Sequence, residues 1–287
     1  MIPLIDNFIC GYDLVSDFGD IYCYGETNFY GTIKEVFGET TNIVAGLAIE
    51  NGLNLISSDG KVFTLANNAE MKVIPNATDV VDANLIDDNI VVLNKNGFVL
   101  NQEGERIQDF ESTSSEFLAF SIASNARDLY LLDTQNRVHC SNGAQHYGDL
   151  TTLDVNDARA IDIACSPWGN GYWMIDQIGG VFCFGEVDYF GSVPGDGRNC
   201  EASKIIPTPT GYGYWILDKR GMILPFGDAS YFGNPKPGTV TGNLIDVAIR
   251  TKPGRGDEDW LFTKLVNNDI DQLLGNPLAS FDEPIAD

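Results

Sequence analysis

Histidine is nearly missing from this chain, which holds only His139 and His146. A histidine-rich metal centre therefore cannot be built from it. The six cysteines include no Cys-x-x-Cys pair, so neither a zinc ribbon nor a dithiol redox motif is available. No Gly-x-Ser-x-Gly, His-Glu-x-x-His, phosphate loop or dinucleotide fingerprint occurs. Cations are scarce as well. Lys and Arg total 17 against 41 Asp and Glu, a formal charge of −24, which argues against nucleic-acid binding and against anionic membrane surfaces. No window is long and apolar enough for a transmembrane span, and the opening Met1–Asp6 has neither the basic region nor the apolar core of a signal peptide. Apolar residues at helical spacing are nowhere sustained.

What the chain has in abundance is glycine in register. Three 21-residue stretches share one pattern: Gly11–Gly31, Gly171–Gly191 and Gly213–Gly233. Each places glycine first, fifteenth and last. Weaker copies anchor at Gly52, Asn89, Asp128 and Glu258, so that successive anchors lie 37 to 45 residues apart and seven units fill the chain. A fixed period of this length implies stacked supersecondary units.

Each unit reads as short strands. In the fifth, Ala160–Cys165, Tyr172–Ile175 and Val181–Phe184 are β-rich runs between Gly, Pro, Asn and Asp turns, and a fourth strand is expected near Asp188–Ser192. The second strand decides the architecture. Adjacent places hold Leu14 and Val15, Leu55 and Ile56, Met174 and Ile175, and Ile216 and Leu217. Neighbouring residues on a strand face opposite ways, so these strands must be covered on both sides. The expectation is an all-β, seven-bladed β-propeller of four-stranded antiparallel blades, one domain over 1–287 with blades near 1–33, 34–75, 76–112, 113–150, 151–195, 196–236 and 237–287. A parallel β-helix is the structural alternative. The first strand is expected at Leu4–Cys10, and no strand that would lock the ring stands out.

The strong copies, Gly171–Ser192 and Gly213–Asn234 and then Gly11–Thr32, resemble the GYW…DGGVF-FGDA-FYGS repeats of actinobacterial surface proteins and some phage proteins, and more distantly the RCC1-type repeat. The resemblance implies a propeller and no catalytic residues.

Candidate chemistry is sparse. The cysteines are expected to be buried and reduced, with Cys23, Cys140 and Cys183 in one motif place and Cys200 in a loop. His139 and His146 occupy aromatic packing places. Asp17, Asp59, Asp133, Asp176 and Asp218 fall in the turn after the second strand, where aspartate bonds its own backbone; a cation-binding rim is the alternative. Asp6, Asp82, Asp162 and Asp246 recur near the first strands and could line a central channel. Trp173, Trp215 and Trp260 share a packing place on the second strand. Trp168 and Tyr212 sit in loops and are the better contact candidates, together with Asp176 and Asp218. The Arg255-Gly256-Asp257 triplet is read as chance, and Asn76-Ala77-Thr78 as a glycosylation acceptor only in a secretory setting. No catalytic residue, metal or cofactor is expected. The functional expectation is a non-enzymatic scaffold in a virus particle (a phage tail, fibre or decoration component) that contacts other subunits of the assembly. A host-surface glycan is the alternative partner, and a metal-dependent propeller hydrolase is the third reading. Nucleic acid and membrane insertion are not expected. The virion is the expected location, with cytoplasm or medium as alternatives.

Overall fold

The computed structural model describes residues 7–110, 115–141, 143–153, 155 and 157–253. Two compact units divide the chain: Cys10–Arg250, and Met1–Ile9 with Thr251–Asp287. Of the second of these, the described residues are the ends of two strands.

Within Cys10–Arg250 the architecture is all-β. Among the described residues there are six small sheets. The second holds β3 (Ile43–Ile49), β4 (Gly52–Ser57), β5 (Lys61–Ala66) and β6 (Glu70–Val73). The third holds β7 (Val80–Ile86), β8 (Asn89–Asn94), β9 (Phe98–Asn101) and β10 (Arg106–Asp109). The fourth is β11 (Phe117–Ile122), β12 (Leu129–Asp133) and β13 (Val138–Cys140). The fifth is β14 (Ala160–Cys165), β15 (Gly171–Asp176) and β16 (Val181–Gly185), and the sixth β17 (Ala202–Pro207), β18 (Gly213–Asp218) and β19 (Ile223–Gly227). These five are antiparallel meanders, each strand pairing with the next in sequence.

The first sheet breaks the rule. Its order is β2 (Ile21–Gly25), β1 (Asn7–Ser16), β20 (Leu244–Pro253). The sequence places Leu4–Cys10 as a separate first strand; instead β1 runs unbroken through Ser16, and β20 takes the place that β3 or β7 holds in its own sheet. The sequence pattern does not single out this pairing of strands from far-apart parts of the chain. Residues assigned to a seventh unit therefore serve the first sheet, and that unit's anchor Glu258, with Trp260, lies outside the described residues. Among the described residues, four strands per unit holds only for the second and third sheets. In the fifth, residues 186–192 form a loop, because the positive φ at Gly185 (88°) and Gly191 (127°) turns the backbone away from the ladder.

Five apolar clusters occupy successive sheet-to-sheet junctions. Val15, Ile43 and Phe63 join the first and second sheets; Ile56, Val80 and Val92 the second and third. Leu93, Phe117 and Leu131 join the third and fourth; Leu132, Ile163 and Met174 the fourth and fifth; Ile175, Ile205 and Ile216 the fifth and sixth. Both faces of the second strand are used, as its doubly apolar pattern requires. The sixth sheet meets the first through Tyr12, whose ring lies edge-on to Phe232 at 5.4 Å.

At three junctions, fourth to fifth, fifth to sixth and sixth to first, repeated glycines and tyrosines add hydrogen bonds. Tyr172 Oη donates to Gly148 O (2.6 Å) and accepts from Tyr147 N (3.3 Å). Tyr214 Oη does the same with Gly191 O and Phe190 N. Tyr12 Oη completes the series on Gly233 O and Gly233 N, 221 residues away. The tail glycine is a flat seat: a Cβ at Gly148, Gly191 or Gly233 would press into the ring of Phe184, Phe226 or Tyr24 on the next sheet.

Among the described residues one α-helix interrupts the strands. Residues Ile33–Phe37 (α1) start at Thr32, whose hydroxyl accepts from Glu35 N while the Glu35 carboxylate accepts from Thr32 N. The spacing Thr32-x-x-Glu35 was its sequence signal, too short to register as periodicity.

Candidate functional site

The turn after the second strand is closed by one residue at the same place in all six sheets: Ser16, Ser57, Asn94, Asp133, Asp176 and Asp218. Their side-chain oxygens accept from backbone N–H groups two or four residues on. Asp176 Oδ1 takes Ile178 N (3.1 Å) and Gly180 N (2.7 Å), Asn94 Oδ1 takes Asn96 N and Phe98 N, and Ser16 Oγ takes Asp20 N. Asp17 and Asp59 stand one and two places past this position. Asp17 instead holds Asn243 through both its backbone N and Nδ2, and Asp59 accepts from Ser57 Oγ. Asp176 and Asp218 are buried turn closures.

Asp133 is the most elaborate of the set. It is fully buried and receives Ser115 Oγ (2.8 Å), Arg137 Nε (2.8 Å) and His139 Nε2 (2.9 Å). Burial alone would raise its pKa; these bonds and two backbone N–H groups outweigh burial and hold it at about 2. His139 also meets the Phe117 ring edge-on, and His146 bonds Val138 O and Gly148 N. Both histidines are thus tied into the fold. Cys165 and Cys200 are buried whereas Cys10, Cys23, Cys140 and Cys183 are half-buried, fewer buried thiols than expected; burial pushes Cys23 and Cys165 up to about 12. Trp173 and Trp215 are fully buried, each donating Nε1 to a carbonyl of its own repeat, Asp188 O and Ser230 O.

Trp168 and Tyr212 are brought together. Their rings lie 6.4 Å apart, tilted by 56°, and are 38% and 58% exposed. Trp168 is fixed by Nε1 donating to Thr210 O (3.0 Å) and fits because Gly211 has no side chain: a Cβ there would sit 2.5 Å from Nε1. Beside them Asp228 accepts from Thr208 Oγ1 and Thr210 Oγ1. The pair flanks the start of β15 and β18, whereas Asp176 and Asp218 end those strands. The four candidate residues therefore belong to opposite ends of the sheets, not to one site.

A second constellation joins β20 and the first strands of the other sheets. A register shift in β3, β7, β11, β14 and β17 re-aims one residue: Ala45, Asp82, Ala119, Asp162 and Lys204. Asp246 stands at the matching place in β20. Lys204 is the member that sequence reading missed, since a lone lysine in a strand carries no motif. Its Nζ bonds Asp82 Oδ1 at 2.9 Å and stands 3.8 Å from Asp162 Oδ1. Asp82 Oδ2 accepts from Phe120 N, Asp162 Oδ2 from Ile205 N, and Asp246 Oδ2 from Gly46 N, so each carboxylate clips its sheet to another. Asp162 and Asp246 are raised by burial, Asp162 to about 7 in spite of Lys204. Lys204 is held above its usual range: burial opposes its charge, and the three carboxylates outweigh burial. Asp6 lies outside the described residues. Cavities of about 320 and 400 Å³ share Lys204 as a lining residue. Among the described residues, no cluster of three His, Cys, Asp or Glu is arranged to hold a metal ion, and no helix is long and apolar enough to cross a membrane.

No protein-family model matches the chain, and no curated protein matches it. Among solved structures, a protein of unknown function from Bacteroides thetaiotaomicron superposes with a TM-score of 0.51 at 14% identity, over 87% of this chain and 72% of that one. At that identity the likeness concerns the fold alone.

Proposed function

We propose that the protein is a β-propeller acting as a non-enzymatic interaction module, a structural component of a virus particle such as a phage tail, fibre or decoration protein. The propeller reading rests on the series of junctions that returns, through Tyr12 and Gly233, to the sheet where it began. With β20 in the first sheet, the described sheets make six blades, one fewer than the sequence period counts, and β20 is the closing strand.

The observation that carries the functional reading is how the recurrent polar residues are used. At the turn after the second strand they accept backbone N–H groups, and nearer the inner strands they clip sheet to sheet. That distribution suits a rigid ring presenting unlike surfaces to its neighbours. The resemblance of the strong repeats to those of phage and bacterial surface proteins favours the particle. Mass spectrometry of purified particles tests this: the chain should be present in fixed stoichiometry, and its confinement to the soluble fraction would end the particle reading.

Glycan attachment is a second reading, favoured by the exposed Trp168–Tyr212 pair beside Asp228. Aromatic faces with an adjacent carboxylate suit the apolar face and hydroxyls of a sugar. A glycan array with the native chain should give defined hits that Trp168→Ala and Tyr212→Ala both abolish. Hits unchanged in both variants would exclude this pair.

A further inference from the structure

The outer edge of the second sheet is a bare strand. β6 pairs with β5 in unbroken register from Lys61 opposite Val73 to Thr64 opposite Glu70, and among the described residues no strand lies on its other side. Just past its end, Ile74 N donates inward to Gly60 O. Backbone groups alternate sides along an antiparallel strand, so Glu70 and Lys72 also direct theirs at β5, while Met71 and Val73 present N–H and C=O outward. All four side chains are exposed, Met71 by 42% and Val73 by 57%.

Natural sheets usually blunt such an edge. The outermost strand of the third sheet, β10, does so with a register shift between Arg106 and Gln108. After the third strands of the fifth and sixth sheets come loops, pinned where Trp173 and Trp215 donate to Asp188 O and Ser230 O. β6 has neither device. It carries two charges, but they are opposite and bonded to one another, Lys72 Nζ to Glu70 Oε1 at 2.6 Å, so the edge has no net charge with which to repel its own copy.

The edge is also complementary to itself. When β6 lies antiparallel to the β6 of a second copy, outward residues must meet outward residues. That leaves registers centred on Glu70, Met71, Lys72 or Val73. Centring on Glu70 sets glutamate against glutamate, and centring on Lys72 sets lysine against lysine; like charges directly opposite are unfavourable. Centring on Val73 brings Met71 against Pro75, which has no N–H to give. Centring on Met71 sets Glu70 against Lys72, twice by symmetry, on one face of the joined sheet. On the other face Met71 meets Met71, and Val73 meets Ala69. The charged pairs then fall at non-hydrogen-bonded places, where opposed side chains approach most closely.

We infer that the chain forms a two-fold dimer by joining β6 to the β6 of a second copy, antiparallel and centred on Met71, so that two sheets become continuous. The contact is isologous, each copy giving and receiving the same backbone hydrogen bonds. An edge this short belongs to the small, reversible class of interfaces. The inference is independent of the particle and glycan readings.

Sedimentation of the native chain tests it. Monomer should convert reversibly to dimer as concentration rises, with a Kd of about 1 mM or below. Lys72→Glu and Glu70→Lys alter exposed side chains and leave the core alone; each should weaken the dimer by about tenfold or more. The two variants mixed in equal amounts should associate again, because an all-acidic edge then faces an all-basic one. Trp168→Ala, at the exposed aromatic pair, should behave as the native chain. Amide exchange gives a second readout: the Met71 and Val73 N–H groups should become protected as concentration rises, whereas Lys72 N–H, directed at β5, is protected throughout. A monomer at every concentration up to about 1 mM, a dimer that survives both charge reversals, or a mixture of the two variants that stays monomeric would overturn the inference.

Discussion

Single atoms decide this fold at the places where the repeat is strictest. Gly185 and Gly227 have φ of 88° and 66°, and a Cβ would fall 2.5 Å from Asn170 O and 2.2 Å from Tyr212 O. Gly185→Val or Gly227→Val should therefore lower stability by about 1–3 kcal/mol, read as a shifted urea midpoint at unchanged slope. The tyrosine hydroxyls are a subtler case. Tyr172→Phe keeps the ring against Phe184 but removes the group serving Gly148 O and Tyr147 N. A loss of about 1–2 kcal/mol is expected by the same assay. A native-like midpoint in Tyr172→Phe would mean that ring packing alone holds the fourth and fifth sheets together. The glycines were legible in the sequence because positive φ and close approach exclude other residues. The hydroxyl bonds were not, since a tyrosine in a strand looks the same whether or not its tip is used.

Among elements, β20 is the one that reaches furthest. Its Arg250 pairs through Nε with Asp13 Oδ2 (2.7 Å) on β1 and through Nη1 with Ile49 O (3.1 Å) and Gly52 O at the β3–β4 turn. One guanidinium thus spans the first and second sheets. Arg250→Ala strands the buried Asp13 and should cost about 3–5 kcal/mol, whereas Asp13→Ala with Arg250→Ala should recover part of that loss. Additive losses in the double variant would show that the two side chains act separately. The element scale is also where sequence reading stopped. The doubly apolar second strands announced sheets covered on both faces, and they are. The pairing of β20 with β1 escaped because register between chain-distant strands is written in neither one alone. The turn closures were displaced at Asp17 and Asp59, where serine one or two residues earlier does the work that aspartate does in Asp133, Asp176 and Asp218. At the candidate sites, exposed loop aromatics could be guessed from their neighbours, but the meeting of Lys204 with Asp82, Asp162 and Asp246 needed three dimensions.

Over the whole molecule, the buried acids set opposing responses to pH. Burial raises Asp162 to about 7 in the folded chain from an ordinary value of 3.8, so between these values the folded form keeps a proton that the unfolded form has lost. Its contribution therefore falls as pH rises from about 4 to 7, and Asp246 is shifted the same way. Asp133, held at about 2, works in the other sense: its stabilisation is present above 3.8 and is lost as pH falls toward 2. Urea midpoints should be higher near pH 4.5 than near pH 7.5. The excess of carboxylates, −24 overall, adds repulsion in the same direction, so the diagnostic is Asp162→Asn, which should flatten the slope relative to the native chain. An unchanged slope would assign the whole effect to surface charge.

The place of β20 bears on how the protein is made. During synthesis, β1 and β2 emerge first but lack the strand that completes their sheet until residues 244–250 leave the ribosome. Five sheets can stack on one another before then, each burying its face as the next appears, while the first waits with a strand edge unpaired. Closing it brings together segments more than 200 residues apart, an entropically expensive step that should come late and slowly. Until that step an open edge is available to another nascent chain, and exchange of β20 between two copies is the misassembly this architecture invites.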